Sequence, residues 1–201
     1  MIGFNLPNNK HHDLLLSMVK LIVRAVKSRR SYLEELLLQI PEAQVVFDQY
    51  HDPMETFVRA LHVAGDDPAI HLEEDAILCE NFLDRAMAVI STHTNEVVQF
   101  FSMHPDDPIK GARYYDHFVG AVCFYLPAQY SSWLADYAPR WPKRFSNPTA
   151  VDIMLRHWMR KERNNEPHWL CIPNLADHRV GPSSIDQTRP ERRQSLTYEA
   201  C

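Results

Sequence analysis

The sequence predicts a single α/β domain, with a mostly parallel sheet flanked on both faces by helices. Three observations carry this expectation. Short apolar, β-branched runs alternate with stretches of helical period. The chain has 201 residues, the size of one domain, and 45% of them are hydrophobic, enough for a sizeable core. Two of the strand-like runs end directly in carboxylates, and open α/β sheets bind ligands beyond the carboxyl ends of their strands.

In chain order, residues 1–18 form a polar N-terminal extension, without the basic-then-apolar pattern of a secretory signal. Lys20-Leu21-Ile22-Val23-Arg24-Ala25-Val26 reads as a buried first strand. Ser31 and Glu34 offer a capping box, and Leu33, Leu36, Leu37 and Ile40 give the stripe of a helix stopped at Pro41. Val45-Val46-Phe47-Asp48 is a second strand ending in an acid. Asp52-Pro53 opens a helix, Asp as its cap and Pro at the first helical position, with Phe57, Val58 and Leu61 inward. Ala69-Ile70-His71-Leu72 is a third strand that runs straight into Glu73-Glu74-Asp75.

A helix from Asn81 to about His93 precedes a fourth strand at 96–101. After a polar loop, residues 117–126 read as a fifth strand, and Pro127 starts a helix through Trp133 and Leu134. Asn147-Pro148 caps a long helix to about Arg163, with Val151, Met154, Leu155 and Trp158 inward. His168-Trp169-Leu170-Cys171-Ile172 is the last strand. The domain therefore spans 19–181, and residues 182–201, rich in Pro, Ser, Gln and Arg, are expected to be a flexible tail.

Composition narrows the function. No apolar run is long enough to cross a bilayer, which places the protein in the cytoplasm and away from membranes. Cys79, Cys123, Cys171 and Cys201 are scattered without a C-x-x-C pair, which argues against a disulfide framework and a zinc ribbon. The net charge of -5 is uneven: residues 1–138 hold 10 Lys/Arg against 19 Asp/Glu, and residues 139–201 hold 11 against 7. An acidic first part can hold a metal and a basic second part can face phosphate; two solvated surfaces account for the counts equally well.

The acidic triplet is the strongest constellation. Residues two apart on an extended chain point the same way, so Glu73 and Asp75 can converge. Hard oxygen ligands at that spacing suit Mn²⁺ or Mg²⁺ bridging a diphosphate. An acidic loop that merely complements the next helix is the alternative, and spacing does not separate the two.

Ile70-His71-Leu72-Glu73-Glu74-Asp75, followed by Ala76-Ile77-Leu78-Cys79-Glu80-Asn81-Phe82, resembles the strand-and-acidic-triplet signature of glycosyltransferase A enzymes, and most of all small bacterial and phage members. Ile172-Pro173-Asn174-Leu175-Ala176-Asp177-His178, with Ser183-Ser184 beyond, resembles their closing strand. The resemblance covers roughly residues 19–185. It implies a glycosyltransferase A-like, Rossmann-like domain in which Glu73, Asp75 and His178 hold the metal and Glu74 contributes to the sugar-nucleotide phosphates. Glu73 stands where such enzymes usually carry Asp.

The same resemblance seats the nucleotide at the end of the first strand, which nominates Arg24 and Lys27 for phosphate and Asp48 for the base or ribose; Lys27-Ser28-Arg29-Arg30 also reads as a basic surface before a helix, and Asp48 as a strand-end turn residue. It nominates Asp152 as the carboxylate that takes the acceptor's proton, although an acid in a first helical turn also complements the helix dipole.

The implied activity is metal-assisted transfer of a sugar from a nucleoside-diphosphate sugar to an acceptor hydroxyl. The acceptor is a modified DNA base, as in phage enzymes, or a small molecule or glycan. Arg140, Lys143, Arg144, Arg156, Arg160, Lys161 and Arg163 are the basic residues that would track a DNA backbone. For a phage-encoded chain the compartment is the host cytoplasm. Two rivals remain: a non-catalytic nucleotide- or partner-binding module, and a metal-dependent phosphohydrolase using His11-His12-Asp13.

Overall fold

A computed structural model describes residues 18–141, 150–181 and 193–199. Among the described residues the strands are β1 (Lys20–Ala25), β2 (Gln44–Phe47), β3 (Ala69–Glu73), β4 (Ala76–Leu78), β5 (Val98–Gln99), β6 (Arg113–Tyr115), β7 (Cys123–Leu126), β8 (His168–Leu170) and β9 (Ala176–His178). The helices are α1 (Arg30–Leu37), α2 (Pro53–Ala64), α3 (Phe82–Thr92), α4 (Asp107–Lys110), α5 (Tyr130–Tyr137) and α6 (Val151–Lys161).

Seven strands form one sheet in the order β2-β1-β3-β7-β5-β8-β6, and β4 pairs with β9 as a separate ribbon. β1 runs parallel to β2 and β3, and β5 parallel to β8. β7 reverses between β3 and β5, and β6 reverses at the edge against β8. The protein is thus a mixed α/β domain with a mostly parallel sheet, as expected.

The sheet's two faces carry separate apolar layers. Leu21, Val23, Ile70 and Leu72 face Leu33 and Leu36 of α1 and Phe82, Met87 and Ile90 of α3. On the other side Phe124 and Leu126 meet Phe57 and Leu61 of α2, Leu134 of α5, and Met154, Leu155 and Trp158 of α6. Burial of each such side chain is worth roughly 1.5–3 kcal/mol, so the strands are held by their helices rather than by local propensity. The start of α2 follows the sequence closely: the Asp52 carboxylate accepts from Met54 N–H at 2.9 Å and Glu55 N–H at 3.1 Å, with Pro53 next to it.

Other expectations change. The Ser31–Glu34 capping box does not form. α1 begins at Arg30 with no side-chain cap and ends at Leu37, while Glu34 pairs with Arg30 instead. The strand expected over 117–126 exists only at 123–126, because Gly120 takes φ +79, a left-handed conformation that breaks an extended run. The strand expected over 96–101 shrinks to Val98–Gln99. β4, β6, β9 and α4 span three or four residues, too few to show a period in the sequence.

Residues 193–199, assigned to a flexible tail, lie against Asn174 and Asp177, and Tyr198 packs on the core. His11-His12-Asp13, Lys143, Arg144, Asn147-Pro148, Ser183-Ser184 and Cys201 lie outside the described residues.

Candidate metal and phosphate site

The site is built where β1 and β3 end side by side. Their register sets Arg24 opposite Glu73. Beyond Glu73 the chain turns into β4, and three backbone bonds pin that turn. Glu73 N–H donates to Val122 at 2.9 Å, Glu74 N–H to Arg24 at 3.0 Å, and Arg179 N–H to the Asp75 carbonyl at 3.0 Å. β9 lies antiparallel to β4 with Ala76 opposite His178, which carries the imidazole to the acids.

Glu73, Asp75 and His178 each present a ligand atom, and these atoms lie within 4.8 Å of one another. His178 Nε2 stands 3.3 Å from Asp75 Oδ2. Its Nδ1 lies 2.6 Å from the Arg179 carbonyl, which can only accept, so Nδ1 carries a hydrogen and Nε2 is the ring nitrogen turned toward the acids. Asp75 Oδ1 is buried and finds no hydrogen-bond partner among the described residues. Two carboxylates and an imidazole with open valences fit a divalent ion such as Mn²⁺ or Mg²⁺.

Charge crowding supports the same view. Burial pushes the Glu74 carboxyl up to about 8, helped by the negative charges of Asp75 and Glu73; its backbone hydrogen bond and Arg29 oppose the shift. Glu73 is also raised, first by its packing against protein and then by Asp75, while Arg24 pulls it down. The Arg29 guanidinium bridges Asp75 and Glu74. Three packed acids remain costly even so, and a cation relieves that cost directly.

A pocket of about 260 Å³ opens beside the cluster, with Ser28, Arg29, Ser31, Tyr32, Asp75 and Arg179 among its walls. Arg179 lies over the Tyr32 ring at 4.8 Å and bonds Glu35. Cations and hydroxyls next to an acid–imidazole cluster are what phosphate oxygens need.

The remaining nominated residues separate. The Arg24 side chain is buried, pairing with Glu73 at 3.3 Å and donating to the Ala121 carbonyl, with Phe57 beneath it at 5.0 Å. It therefore holds Glu73 from below rather than facing the pocket. Glu74 is likewise turned inward to Arg29. Asp48 accepts from Tyr50 N–H at 3.0 Å and Asp52 N–H at 3.2 Å, the pattern of a turn residue. Lys27 is exposed, in the turn leading to α1.

Asp152 sits in the first turn of α6, its Oδ2 accepting the Gly120 N–H at 3.3 Å, and its charge raises Glu73. It thus stands within electrostatic reach of the triplet. Arg29 and Arg179 were missed as site residues. Arg29 reads as part of a basic surface run, and Arg179 is placed only by the β4–β9 ribbon.

No protein-family model matches the chain, and no curated protein matches it. Among solved structures it is similar to A197 from STIV, with a TM-score of 0.51 at 14% identity over 90% of this chain and 95% of that one. UDP-glucose pyrophosphorylase from Acinetobacter baumanii superposes more loosely, at a TM-score of 0.42 and 9% identity over 82% of this chain and 62% of that one. Likeness at these identities concerns the fold alone. Among the described residues no helix is long and apolar enough to cross a membrane.

Proposed function

We propose that the chain is a metal-assisted glycosyltransferase, moving a sugar from a nucleoside-diphosphate sugar to an acceptor hydroxyl on a glycosyltransferase A-like domain at 19–181. The observation that carries this is the convergence of Glu73, Asp75 and His178 within 4.8 Å beside a pocket walled by Arg29 and Arg179. Those three side chains would hold the ion, which when bound supplies positive charge against a departing diphosphate. Arg29 and Arg179 offer forked donors to the phosphate oxygens, and exposed Lys27 precedes Ser28 of the pocket wall in the chain.

Asp152 takes the proton of the acceptor hydroxyl as that oxygen bonds to the sugar's anomeric carbon. The bond from that carbon to the diphosphate oxygen breaks, and its electron pair leaves with the nucleoside diphosphate. A DNA-base acceptor would draw on the basic second part of the chain; a small molecule or glycan would not require it.

Thermal shift with UDP, GDP, CDP and ADP, each with and without Mn²⁺, tests the proposal on the wild type and Asp75→Ala. One diphosphate is expected to raise Tm only when metal is present, and the substitution is expected to abolish that rise. If no nucleotide stabilises the wild type, transferase activity is refuted and a non-catalytic binding module takes its place.

A further inference from the structure

The last described stretch of chain, residues 193–199, returns to β9, the strand that carries His178. Ser195 N–H donates to Asp177 Oδ1 at 2.7 Å, and the Gln194 side-chain amide approaches Asp177 Oδ2 at 3.4 Å. Ser195 Oγ donates to Asn174 Oδ1 at 2.9 Å and accepts the amides of Thr197 and Tyr198, both at 3.0 Å, which folds the segment into a tight turn. Asn174 is nearly fully buried. Its backbone N–H reaches Thr197 Oγ1 at 3.3 Å, while its side chain also takes the Ser102 N–H at 2.7 Å and donates to the Cys171 carbonyl at 2.6 Å. Tyr198 completes the contact by packing on the apolar layer that includes Leu175 and Ala176.

Successive residues on a strand point to opposite faces. Asp177 and His178 are neighbours on β9, so the segment grips the face of the ribbon turned away from the acid–imidazole cluster. It cannot cover the cluster from there, but it can fix the strand from behind. The strand is short: β9 has three residues, and among the described residues it pairs in register with β4 and gives one further backbone bond, from Ala176 N–H to the Phe100 carbonyl at 3.1 Å. Asp177 is 5% exposed, and without the Ser195 amide its carboxylate would be a buried anion lacking its shortest donor.

We propose that residues 193–199 are a positioning latch for the metal site, setting His178 through Asp177 and Asn174. This rests on the assignment of Glu73, Asp75 and His178 as metal ligands. A latch of this kind acts as outer-shell partners of metal ligands do, where removal costs roughly 10–100-fold in metal affinity.

Two readouts on the full chain test it: Mn²⁺ affinity by titration calorimetry, and amide hydrogen exchange of residues 176–179 without metal. Asp177→Ala is expected to weaken Mn²⁺ about tenfold and to speed exchange at 176–179. Asp177→Asn keeps an acceptor for the Ser195 amide and is expected to stay close to wild type in both. Ser195→Ala, a milder change that spares the ribbon itself, is expected to shift both readouts the same way by a few-fold, and it serves if Asp177→Ala does not fold. Unchanged exchange in Asp177→Ala and Ser195→Ala overturns the latch, whatever the metal does. Faster exchange with unchanged Mn²⁺ affinity overturns its role in setting His178. A wild type that binds no Mn²⁺, with exchange still faster in the variants, refutes the metal site while the ribbon's dependence on the latch stands.

Discussion

Histidine is buried in two regions of this molecule, with opposite results. At the end of β3, His178 turns Nε2 toward Asp75 and gives Nδ1 to a carbonyl, inside a cluster of acids. In the interior of the sheet, His71 and His168 sit among aromatic rings. His71 stacks on Phe124 at 5.4 Å with Phe57 at its edge, and His168 lies 5.0 Å from Phe118 and 5.8 Å from Tyr115. Burial holds both interior rings far below the ordinary imidazole value, at about 3. Burial alone therefore separates nothing. The difference lies in the groups that face the ring: carboxylates around His178 make a candidate ligand set, and aromatic faces around His71 and His168 make neutral core residues.

The largest effect that can break this comparison is on Arg24, which holds the acid cluster from below. Arg24→Met strands Glu73 and is expected to cost about 3 kcal/mol in urea unfolding, the lower part of the range for broken buried pairs because Glu73 still reaches solvent. No measurable loss would mean that the acids are not under the strain described.

The pH dependence of the metal-free protein sharpens the comparison, because the two regions pull in opposite directions. The folded-state values of His71 and His168 lie below the unfolded value of 6.5. The unfolded chain therefore binds extra protons between pH 6.5 and about 3, and stability falls with acidification across that window. Each histidine contributes a slope of about 1.4 kcal/mol per pH unit, and His71→Leu is expected to remove its share while changing stability at pH 7 by less than about 1.5 kcal/mol. Glu74 has the reverse sign. Its folded value of about 8 lies above the unfolded 4.5, so its contribution is full below pH 4.5 and is lost as pH rises to 8. Glu74→Gln should flatten that upper limb and leave the acid limb intact; denaturant midpoints across pH read both.

The smallest effect is at Asp48. Asp48→Ala removes an acceptor for two turn amides and should cost about 1 kcal/mol, with the Mn²⁺-dependent nucleotide response intact. Loss of that response instead would return Asp48 to the nucleotide.

The first half of the fold was legible because its signals are local. Asp52-Pro53 caps α2, and Ile22 and Val23 are buried on opposite faces of the sheet, as a continuous apolar strand between two helix layers requires. The later half depends on distant pairing. β6 and the two strands of the β4–β9 ribbon have three residues each, and what fixes them is a neighbour far along the chain, which periodicity does not encode. The candidate metal site divides in the same way. The acids at the end of β3 stand out by their spacing and His178 is nominated only through the resemblance; what brings its ring to the acids is the β4–β9 ribbon. The inward turn of Arg24 follows from its register with Glu73, which no spacing reveals. Arg29 stayed hidden because a cation in a Lys-Ser-Arg-Arg run looks the same whether it meets water or a carboxylate.

The β4–β9 pairing joins segments separated by roughly a hundred residues, the kind of non-local contact whose closure slows folding. During synthesis β1 and β3 emerge from the ribosome long before β9. For that interval the nascent chain carries its carboxylates with no imidazole to complete them. The acid–imidazole cluster therefore comes into being only with late assembly of the domain, and a partly made chain carries its acids without it.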